Sequence, residues 1–541
     1  MEFSFTLLPP YEGTSEDEDH GSADDVVVVL SDDEEDEGED GRKRSHWSVK
    51  DEKEEEIKIQ AHDVNVIAID TEEEETKHYA KENVPDPSAE SAQCAPRSIQ
   101  LTEAVVRSAL RRFGHRSLRG LQEPALRSVC AGKDTIVLLP TGGGKSLCFQ
   151  LPALLLGGLV VVISPLLALM QDQVQALKKR GIRVEMLCSL ATPKGKRDTH
   201  DKLLRDADWS SHGDQVEILY TTPETLRSES LHLVLRALYR KNKLALFAID
   251  EAHCISSWGH DFRPAYRRLG TIREAFPRVP IIALIATAPD RVREDIHSDL
   301  NLRPGDGTTV LMGDFNRANI SYTAHNRDTL PDPEGALLSF IRRCHSGSVG
   351  IVYVHRRLDT EALVRELQWR DPSLRAAPYH AELPKKQRAT TLTHWLEGRL
   401  DIICATIAFR MGIDHPSVRF VVHWNMPKSM EGLYQESGRA GRDGHPSHHV
   451  LLYSQEEYLR FRDLLELAEQ ELREKERQGL RVMQAKKKKV GMVKEKRKGL
   501  EMVMEWATGL SCRRKTLLDF FGQIISENDC HGTCDVCNSS I

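Results

Sequence analysis

A short apolar run that leads directly into a glycine-rich loop restricts the fold of this chain more than any other feature of its sequence. Residues 135–139 read TIVLL, and PTGGGKS follows at residues 140–146, before an apolar stretch typical of a helix start. Glycines in such a loop let backbone N–H groups surround a polyphosphate, and the next helix adds the partial positive charge of its N-terminus. The pattern therefore predicts a strand, a phosphate-binding loop and a helix in this order.

Two side chains in this loop can carry the chemistry of a bound nucleotide. Lys145 is placed to reach the β- and γ-phosphates of ATP, and the Ser146 hydroxyl can ligate Mg²⁺. The usual pattern of such loops has Gly at position 139, where this chain has Leu. A glycine-rich turn before a helix is the structural alternative. The predicted contacts to ATP are Thr141, Gly142, Gly143, Gly144, Lys145 and Ser146.

Further apolar runs, separated by amphipathic stretches, indicate an α/β fold. Four follow the loop at residues 159–163, 216–220, 244–249 and 281–286, and a second series lies at residues 349–354, 401–404, 418–423 and 449–453. Continuous apolar strands that alternate with helices indicate a parallel sheet that is covered on both faces. We therefore expect two α/β lobes in tandem, followed from residue 455 by a helical, highly charged region.

Acidic and basic residues that could complete an ATP site follow in both predicted lobes. The run at residues 244–249 ends in Asp250, a candidate Mg²⁺ ligand, and Glu251, which is placed to polarise the attacking water. In the second lobe, Arg439 and Arg442 are three residues apart, which would place them on one face of a helix. Facing ATP, they could neutralise charge in the transition state. The alternatives are an acidic strand end and a surface ion-pair helix.

The segment after Glu251 resembles the aromatic-rich loop of the RecQ family of 3′-to-5′ DNA helicases. It reads AHCISSWGHDFRP over residues 252–264. Other segments that resemble RecQ motifs are FGH at 113–115, Gln122, ISPL at 163–166, TTPE at 221–224, ATA at 286–288, YHA at 379–381 and MGID at 411–414. The resemblance extends over residues 100–540, and within the family the chain is similar to the short helicase Q five-like subgroup.

This resemblance implies a domain plan and roles for further residues. It implies two RecA-like lobes at residues 98–308 and 309–454, then a zinc-binding helical subdomain at residues 455–541. Gln122 would recognise adenine. The aromatic-rich loop would couple DNA binding to hydrolysis, because bases stack on aromatic side chains without sequence preference. The residues expected in that coupling are His253, Trp258, Phe262 and Arg263, and a packing role in the core is the alternative for Trp258.

Two positions depart from the family pattern. Glu382 stands where the family usually has Gly after His-Ala, and Arg410 stands where it usually has Gly before Met-Gly-Ile-Asp. An Arg in place of Gly can force strained backbone or add a phosphate contact. Both positions bear on the rate of turnover.

Four cysteines near the end of the chain have the spacing of a metal site. Cys512 is followed by Cys530, Cys534 and Cys537, a set that fits tetrahedral, structural Zn²⁺. The RecQ family has such a module after its second lobe. The alternative is free thiols, and His531 is an outside candidate ligand.

Charge is distributed unevenly along the chain. Residues 1–95 carry 8 Lys and Arg against 30 Asp and Glu, a net charge of −22, whereas the remaining residues carry 66 against 52, a net of +14. We expect residues 1–97 to be a disordered acidic tail. Its apolar segments Val26–Leu30 and Val64–Ile69, each followed by acids, resemble SUMO-interacting motifs, which add as a strand to a partner's sheet. Charge-guarded apolar patches are the alternative.

These patterns favour a DNA-unwinding ATPase that needs ATP, Mg²⁺ and Zn²⁺ and binds single-stranded and duplex DNA. The stretch at residues 477–498, with ten basic residues and one acidic residue, suits DNA contact or nuclear import, and a solvated helix face is the third interpretation. An RNA helicase and a non-catalytic DNA-binding scaffold recruited by SUMO are the alternative functions. We expect a nuclear monomer without a membrane span, because no apolar run is long enough.

Overall fold

The computed structural model of the protein describes residues 101–538, except residues 141, 209–214, 257–262, 287–288, 345–347, 410–414 and 478–482. The predicted residues and segments outside this set are Val26–Leu30, Val64–Ile69, Thr141, Trp258, Phe262 and Arg410.

The first lobe is built on a parallel sheet of seven strands among the described residues. Its strands are β1 (Asp134–Leu138), β2 (Leu159–Ile163), β3 (Val184–Leu187), β4 (Ile218–Thr221), β5 (Leu244–Ile249), β6 (Ile281–Ile285) and β7 (Thr308–Met312). They lie in the order β3-β4-β2-β5-β6-β1-β7. Because β7 pairs with β1, the sheet of the first lobe extends to Met312, four residues beyond the predicted boundary at residue 308.

The second lobe has a parallel sheet of six strands within the described part of the chain. These are β8 (Ile320–Asn326), β9 (Val349–Tyr353), β10 (Ala376–Tyr379), β11 (Ile402–Ala405), β12 (Val418–His423) and β13 (Ser447–Tyr453). Their order is β10-β11-β9-β12-β13-β8. The two parallel sheets in tandem confirm the predicted fold.

Helices connect the strands and cover both faces of each sheet. In the first lobe they are α1 (Glu103–Arg112), α2 (Gln122–Cys130), α3 (Leu147–Leu155), α4 (Leu167–Lys179), α5 (Pro193–Asp208), α6 (Pro223–Leu226), α7 (Glu229–Arg240), α8 (Pro264–Arg267), α9 (Thr271–Ala275) and α10 (Asp290–Asp299). In the second they are α11 (Pro333–Cys344), α12 (Arg357–Arg370), α13 (Lys385–Leu396) and α14 (Met430–Ser437). Alternate residues of a strand enter different cores, so Val160 and Val162 pack on one face and Val161 and Ile163 on the other.

The C-terminal region begins with two long helices, α15 (Gln455–Arg477) and α16 (Met483–Thr508), which pack against each other. A short helix, α17 (Arg513–Phe520), and a cysteine-containing turn follow. Trp506 of α16 is buried in a core shared with Tyr322 of β8, so this region packs on the second lobe. Among the described helices, none has both the length and the apolar character that a membrane crossing needs.

Candidate active site

The glycine-rich loop lies between the end of β1 and the start of α3, as predicted. Gly142 and Gly144 have φ angles of +83° and +80°, a backbone region that side chains with a Cβ rarely adopt. The Lys145 ammonium folds back over the loop and donates to the Leu139 carbonyl at 3.2 Å. Ser146 is the residue before α3, at the positive end of the helix. The loop therefore presents N–H groups and an ammonium together.

Gln122, the first residue of α2, contacts the glycine-rich loop directly. Its amide donates to the Gly144 carbonyl at 3.1 Å, and its side-chain oxygen accepts from the Arg119 N–H at 2.9 Å. A Cβ on Gly144 would lie 2.3 Å from the Gln122 Nε2 atom, so a larger residue would displace this amide and would also be strained at a φ of +80°. The structure thus brings Gln122 to the loop, while its contact with adenine stays a prediction.

The predicted acidic pair stands at the end of β5. Asp250 is buried, and its N–H donates to the Ile163 carbonyl at 2.9 Å. Burial and the neighbouring Glu251 carboxylate raise the pKa of Asp250, and the Lys145 charge opposes this. Glu251 has a φ of +48°, which turns the chain sharply out of the strand. The Tyr266 hydroxyl donates to the Asp250 carbonyl at 3.1 Å, a support that the sequence did not reveal.

Oxygen donors suited to Mg²⁺ are present on both sides of this site. The Ser146 hydroxyl and the Asp250 carboxylate are hard oxygen ligands of the kind that Mg²⁺ prefers. The Ser146 Oγ accepts from Gln173 of α4 at 3.4 Å, and the Gln173 side-chain oxygen accepts from the Tyr220 hydroxyl at 2.6 Å. Gln173 and Tyr220 are supporting residues whose role only the folded chain reveals, since they are far apart in sequence.

The two predicted arginines do not lie on a helix. Helix α14 starts after Ser429, whose hydroxyl accepts from the Gly432 N–H at 3.2 Å, and it ends at Ser437. Arg439 and Arg442 lie in the following turn, residues 438–445, which we call the arginine turn. The prediction of a shared helical face is wrong, because Gly441 has a φ of +58° that a helix cannot accommodate.

The arginine turn nevertheless reaches the nucleotide loop from the second lobe. The Arg442 Cγ atom lies 3.5 Å from the position that a Cβ on Gly142 would occupy. Arg439 is buried, and its Nε and Nη1 atoms find no hydrogen-bond acceptor among the described residues. Buried guanidinium donors without acceptors are suited to an anion, since a bound phosphate would supply oxygens.

Two of the four predicted coupling residues can be placed. His253 is buried, and its Nδ1 atom lies 3.3 Å from the Glu251 carboxylate. Arg263 donates from Nη1 to the Pro165 carbonyl at 3.2 Å, and its backbone N–H donates to the Cys254 carbonyl at 2.9 Å. Both ends of the aromatic-rich loop are thus anchored beside the acidic pair.

Glu382, which departs from the family pattern, lies at the surface. Its carboxylate pairs with Arg357 at the start of α12, and the Glu382 side chain is 62% exposed. Such an exposed ion pair contributes little to stability.

The four predicted zinc ligands come together. The Sγ atoms of Cys512, Cys530, Cys534 and Cys537 all lie within 4.8 Å of one another. The Cys512 and Cys534 sulfurs are 3.9 Å apart, close to the ~3.8 Å expected from a tetrahedron with Zn–S bonds of about 2.3 Å. The exposed His531 is not part of this group. The donor set therefore fits a closed structural Zn²⁺ site.

The cysteine-containing turn extends the second sheet. The Tyr322 N–H donates to the Thr533 carbonyl at 3.0 Å, and the Asp535 N–H donates to the Tyr322 carbonyl at 3.2 Å. The Asp535 carboxylate accepts from the Ala324 N–H at 2.9 Å. These bonds cover β8, an edge strand with otherwise open backbone groups. The sequence did not predict this contact.

Three protein families match the chain in tandem. The DEAD/DEAH box helicase family matches residues 119–296, the helicase conserved C-terminal domain matches residues 334–444, and the RecQ zinc-binding family matches residues 461–538. These matches follow the order of the two lobes and the zinc-binding region.

Longer proteins resemble most of this chain. The RecQ-like DNA helicase blm-1 of Caenorhabditis elegans is 38% identical over 437 residues, which are 79% of this chain and 41% of that protein. The ATP-dependent DNA helicase Q5 of Rattus norvegicus is 37% identical over 448 residues, which are 81% of this chain and 44% of that protein. The chain thus spans less than half the length of both relatives.

A solved structure supports the fold alone. The crystal structure of the DUF1998 helicase MrfA bound to DNA has a TM-score of 0.52 and 18% identity, and the match covers 67% of this chain and 52% of that one.

Proposed function

This chain belongs to the RecQ family of helicases, and we propose that it is an ATP-dependent DNA helicase that couples hydrolysis to strand separation. The two relatives described above are both named DNA helicases, which favours DNA over RNA as the substrate. The proposal includes 3′-to-5′ movement, action in DNA repair, recombination or replication, a nuclear location and a monomeric protein.

The observation that carries this proposal is the close approach of Arg442 to the nucleotide loop. Hydrolysis in such motors needs phosphate-binding groups from one lobe and a cation from the other, because charge builds up on the transferred phosphoryl group. Here the Arg442 side chain lies 3.5 Å from the Cβ position of Gly142. An ATP molecule in the loop would therefore be closed in by both lobes.

Each residue then has a defined task at the triphosphate. Lys145 exchanges its bond to the Leu139 carbonyl for the β- and γ-phosphate oxygens, and the loop amides hold the remaining oxygens. Ser146 and Asp250 would hold Mg²⁺, which offsets phosphate charge when it is bound. Glu251 orients the attacking water. Arg439 and Arg442 neutralise the charge that develops at the γ-phosphate.

DNA would bind through its backbone, without reading sequence. Residues 96–541 carry a net charge of +14, which suits contacts to phosphates. The aromatic-rich loop would sense the strand and pass that contact to Asp250 and Glu251, since its described ends adjoin them. Binding of SUMO by Val26–Leu30 and Val64–Ile69 belongs to this proposal and rests on their sequence pattern, an apolar run followed by acids.

The deciding experiment compares wild type and Lys145→Ala on duplexes with a 3′ or a 5′ tail. We expect ATP-dependent unwinding of the 3′-tailed DNA by the wild type and none by the variant. A tailed RNA duplex unwound equally well would favour an RNA helicase. A wild type that hydrolyses no ATP on any polynucleotide would leave the passive DNA-binding scaffold as the function.

A further inference from the structure

The backbone of the arginine turn is held by residues of the segment that joins the two lobes. Arg317 donates from Nη1 to the Gly438 carbonyl at 3.2 Å, and from Nη2 to the carbonyls of Ala440 at 2.9 Å and Gly441 at 2.8 Å. These carbonyls flank Arg439 and precede Arg442. We propose that Arg317 is a positioning residue for ATP hydrolysis, which fixes the arginine turn against the nucleotide loop.

A second side chain of the same segment completes this support. The Asn319 amide donates to the Gly441 carbonyl at 2.8 Å and to the His445 carbonyl at 2.9 Å. A Cβ on Gly441 would lie 2.3 Å from the Asn319 Nδ2 atom, so the turn and the side chain are fitted closely. Arg317 and Asn319 therefore bond the turn at both ends.

The turn's own backbone supplies part of this support, since the Gly444 N–H donates to the Gly441 carbonyl at 3.0 Å, and Arg317 adds donors to the carbonyls of Gly438 and Ala440. The end of α14 leaves carbonyl groups without helical partners, and the glycine conformation at Gly441 prevents the helix from continuing. A guanidinium at this end also suits the partial negative charge of a helix C-terminus. Loss of these donors would free the turn without removing any group that touches the nucleotide.

The zinc-binding region fixes Arg317 in turn. Arg514, two residues after Cys512, is buried and donates from Nη1 to the Arg317 carbonyl at 2.8 Å and to the Asn316 side chain at 2.9 Å. Its Nη2 atom donates to the Thr533 hydroxyl at 2.7 Å, beside Cys534. The cysteine cluster is thus joined through Arg514 and Arg317 to the arginine turn. Arg514 therefore positions Arg317, which in turn positions the arginine turn.

This inference rests on the proposed ATPase, and its test separates the two. We would measure kcat and KM for DNA-stimulated ATP hydrolysis in wild type, Arg317→Ala, Arg317→Lys and Arg442→Ala. We expect Arg317→Ala to lower kcat by about 10²-fold, the usual effect of a displaced catalytic group, with KM nearly unchanged. Arg317→Lys should recover part of kcat. The lysine ammonium keeps the positive charge but lacks the planar guanidinium whose two Nη atoms donate to three carbonyls.

Two further measurements exclude a merely structural role. The double variant Arg317→Ala with Arg442→Ala should lose much less kcat than the product of the two single losses, since Arg317 acts through the turn that carries Arg442. The complex of ADP with aluminium fluoride mimics the transition state. Arg317→Ala should bind this complex more weakly than the wild type does, while its affinity for ADP alone stays unchanged. Arg327→Ala is the matched control, because Arg327 also bonds a second-lobe carbonyl, that of Trp424, away from the turn.

The outcomes decide between the claims. If the wild type fails to hydrolyse ATP, the proposed function falls and the inference with it. If the wild type is active and Arg317→Ala matches Arg327→Ala in kcat, or if its effect adds to that of Arg442→Ala, the inference alone is overturned. Should Arg317→Ala not fold, Asn319→Ala and Arg514→Lys replace it, with the same loss of kcat expected at unchanged zinc content.

Discussion

Among single residues, Glu251 combines a strained backbone with a partly buried carboxylate, whose side chain is 21% exposed. A non-glycine residue at a φ of +48° costs about 1–3 kcal/mol, and such positions cluster at functional sites. The neighbouring contacts hold it there, since the Asp250 backbone is bonded to β2 and Tyr266. The Glu251 side chain keeps part of its surface in contact with solvent, so water can reach the carboxylate.

Replacing Glu251 with Gln should separate hydrolysis from binding. The amide keeps the size of the carboxylate and loses its ability to accept a proton, so we expect ATP hydrolysis to fall by about 10²–10⁴-fold. Binding of a fluorescent ATP analogue should stay close to that of wild type. Glu185→Gln, which affects a surface pair with Lys202, is the control. Equal losses in the two variants would contradict the role given to Glu251.

Asp134 has a structural task at the start of β1. It is fully buried, and its carboxylate accepts from Arg273 Nη2 at 2.6 and 2.7 Å, from the Ile281 N–H at 2.9 Å and from the Arg303 N–H at 2.9 Å. Asp134→Asn should lower the free energy of unfolding by about 3–5 kcal/mol, because the largely buried Arg273 guanidinium loses its carboxylate partner. Urea unfolding measures this. Glu123→Gln, which breaks an exposed pair with Arg127, should cost less than about 1 kcal/mol.

Among secondary-structure elements, the central strands could be predicted and the edge strands could not. β3, β7, β8 and β10 are the outer strands of the two sheets, and all four are missing from the sequence prediction. An edge strand buries only part of its surface, so residues such as Glu185, Ser321 and Pro378 interrupt its apolar pattern. Central strands are buried on both faces and read as unbroken apolar runs.

The residues of the candidate active site also divide into those that the sequence reveals and those that only the folded chain reveals. Lys145, Ser146, Asp250 and the cysteines could be identified because local spacing fixes their chemistry. The supporting roles of Tyr266, Gln173 and Arg317 could not be predicted, because each acts on residues that are distant in sequence. Arg439 and Arg442 were predicted as a pair on a helix and lie together in the arginine turn, because their three-residue spacing suits a helix and a glycine turn equally well.

Trp258 of the aromatic-rich loop gives a further prediction. Trp258→Ala should keep DNA binding, because most affinity comes from backbone phosphates, and it should lose most of the stimulation of ATPase by DNA. Fluorescence anisotropy measures the first property, and ATPase assays with and without single-stranded DNA measure the second. Unchanged stimulation would show that Trp258 does not couple the two. Trp369→Ala, at an exposed tryptophan of α12, is the control.

The cysteine-containing turn and β8 should lose their protection against hydrogen exchange together. Cys534→Ser removes one of four ligands, so we expect loss of bound zinc and faster hydrogen exchange at the Tyr322 and Ala324 amides, which bond this turn. Cys344→Ser, at a cysteine outside the cluster, is the control. Zinc content and amide protection measured on the full chain test the link. Protection that survives the loss of zinc would show that β8 does not depend on the metal.

For the whole molecule, the separation of charge has a measurable consequence. The acidic tail, with a net of −22 over residues 1–95, lowers the positive potential that the remaining net of +14 offers to DNA. Removing residues 1–97 should therefore tighten binding to single-stranded DNA by about tenfold at low salt. The gain should shrink as salt rises, because ions screen charges over about 10 Å at 0.1 M.

A matched variant distinguishes an electrostatic effect of the tail from a steric one. Exchanging the acids at residues 32–37 for their amides keeps the chain length and removes six negative charges, so it should give part of the gain with the same salt dependence. Affinities measured over a salt series would give the slope for each protein. If the deletion and the amide variant bind DNA as the wild type does at every salt concentration, the tail exerts no electrostatic control. If only the deletion tightens binding, and by an equal factor at all salt concentrations, the tail acts by steric exclusion.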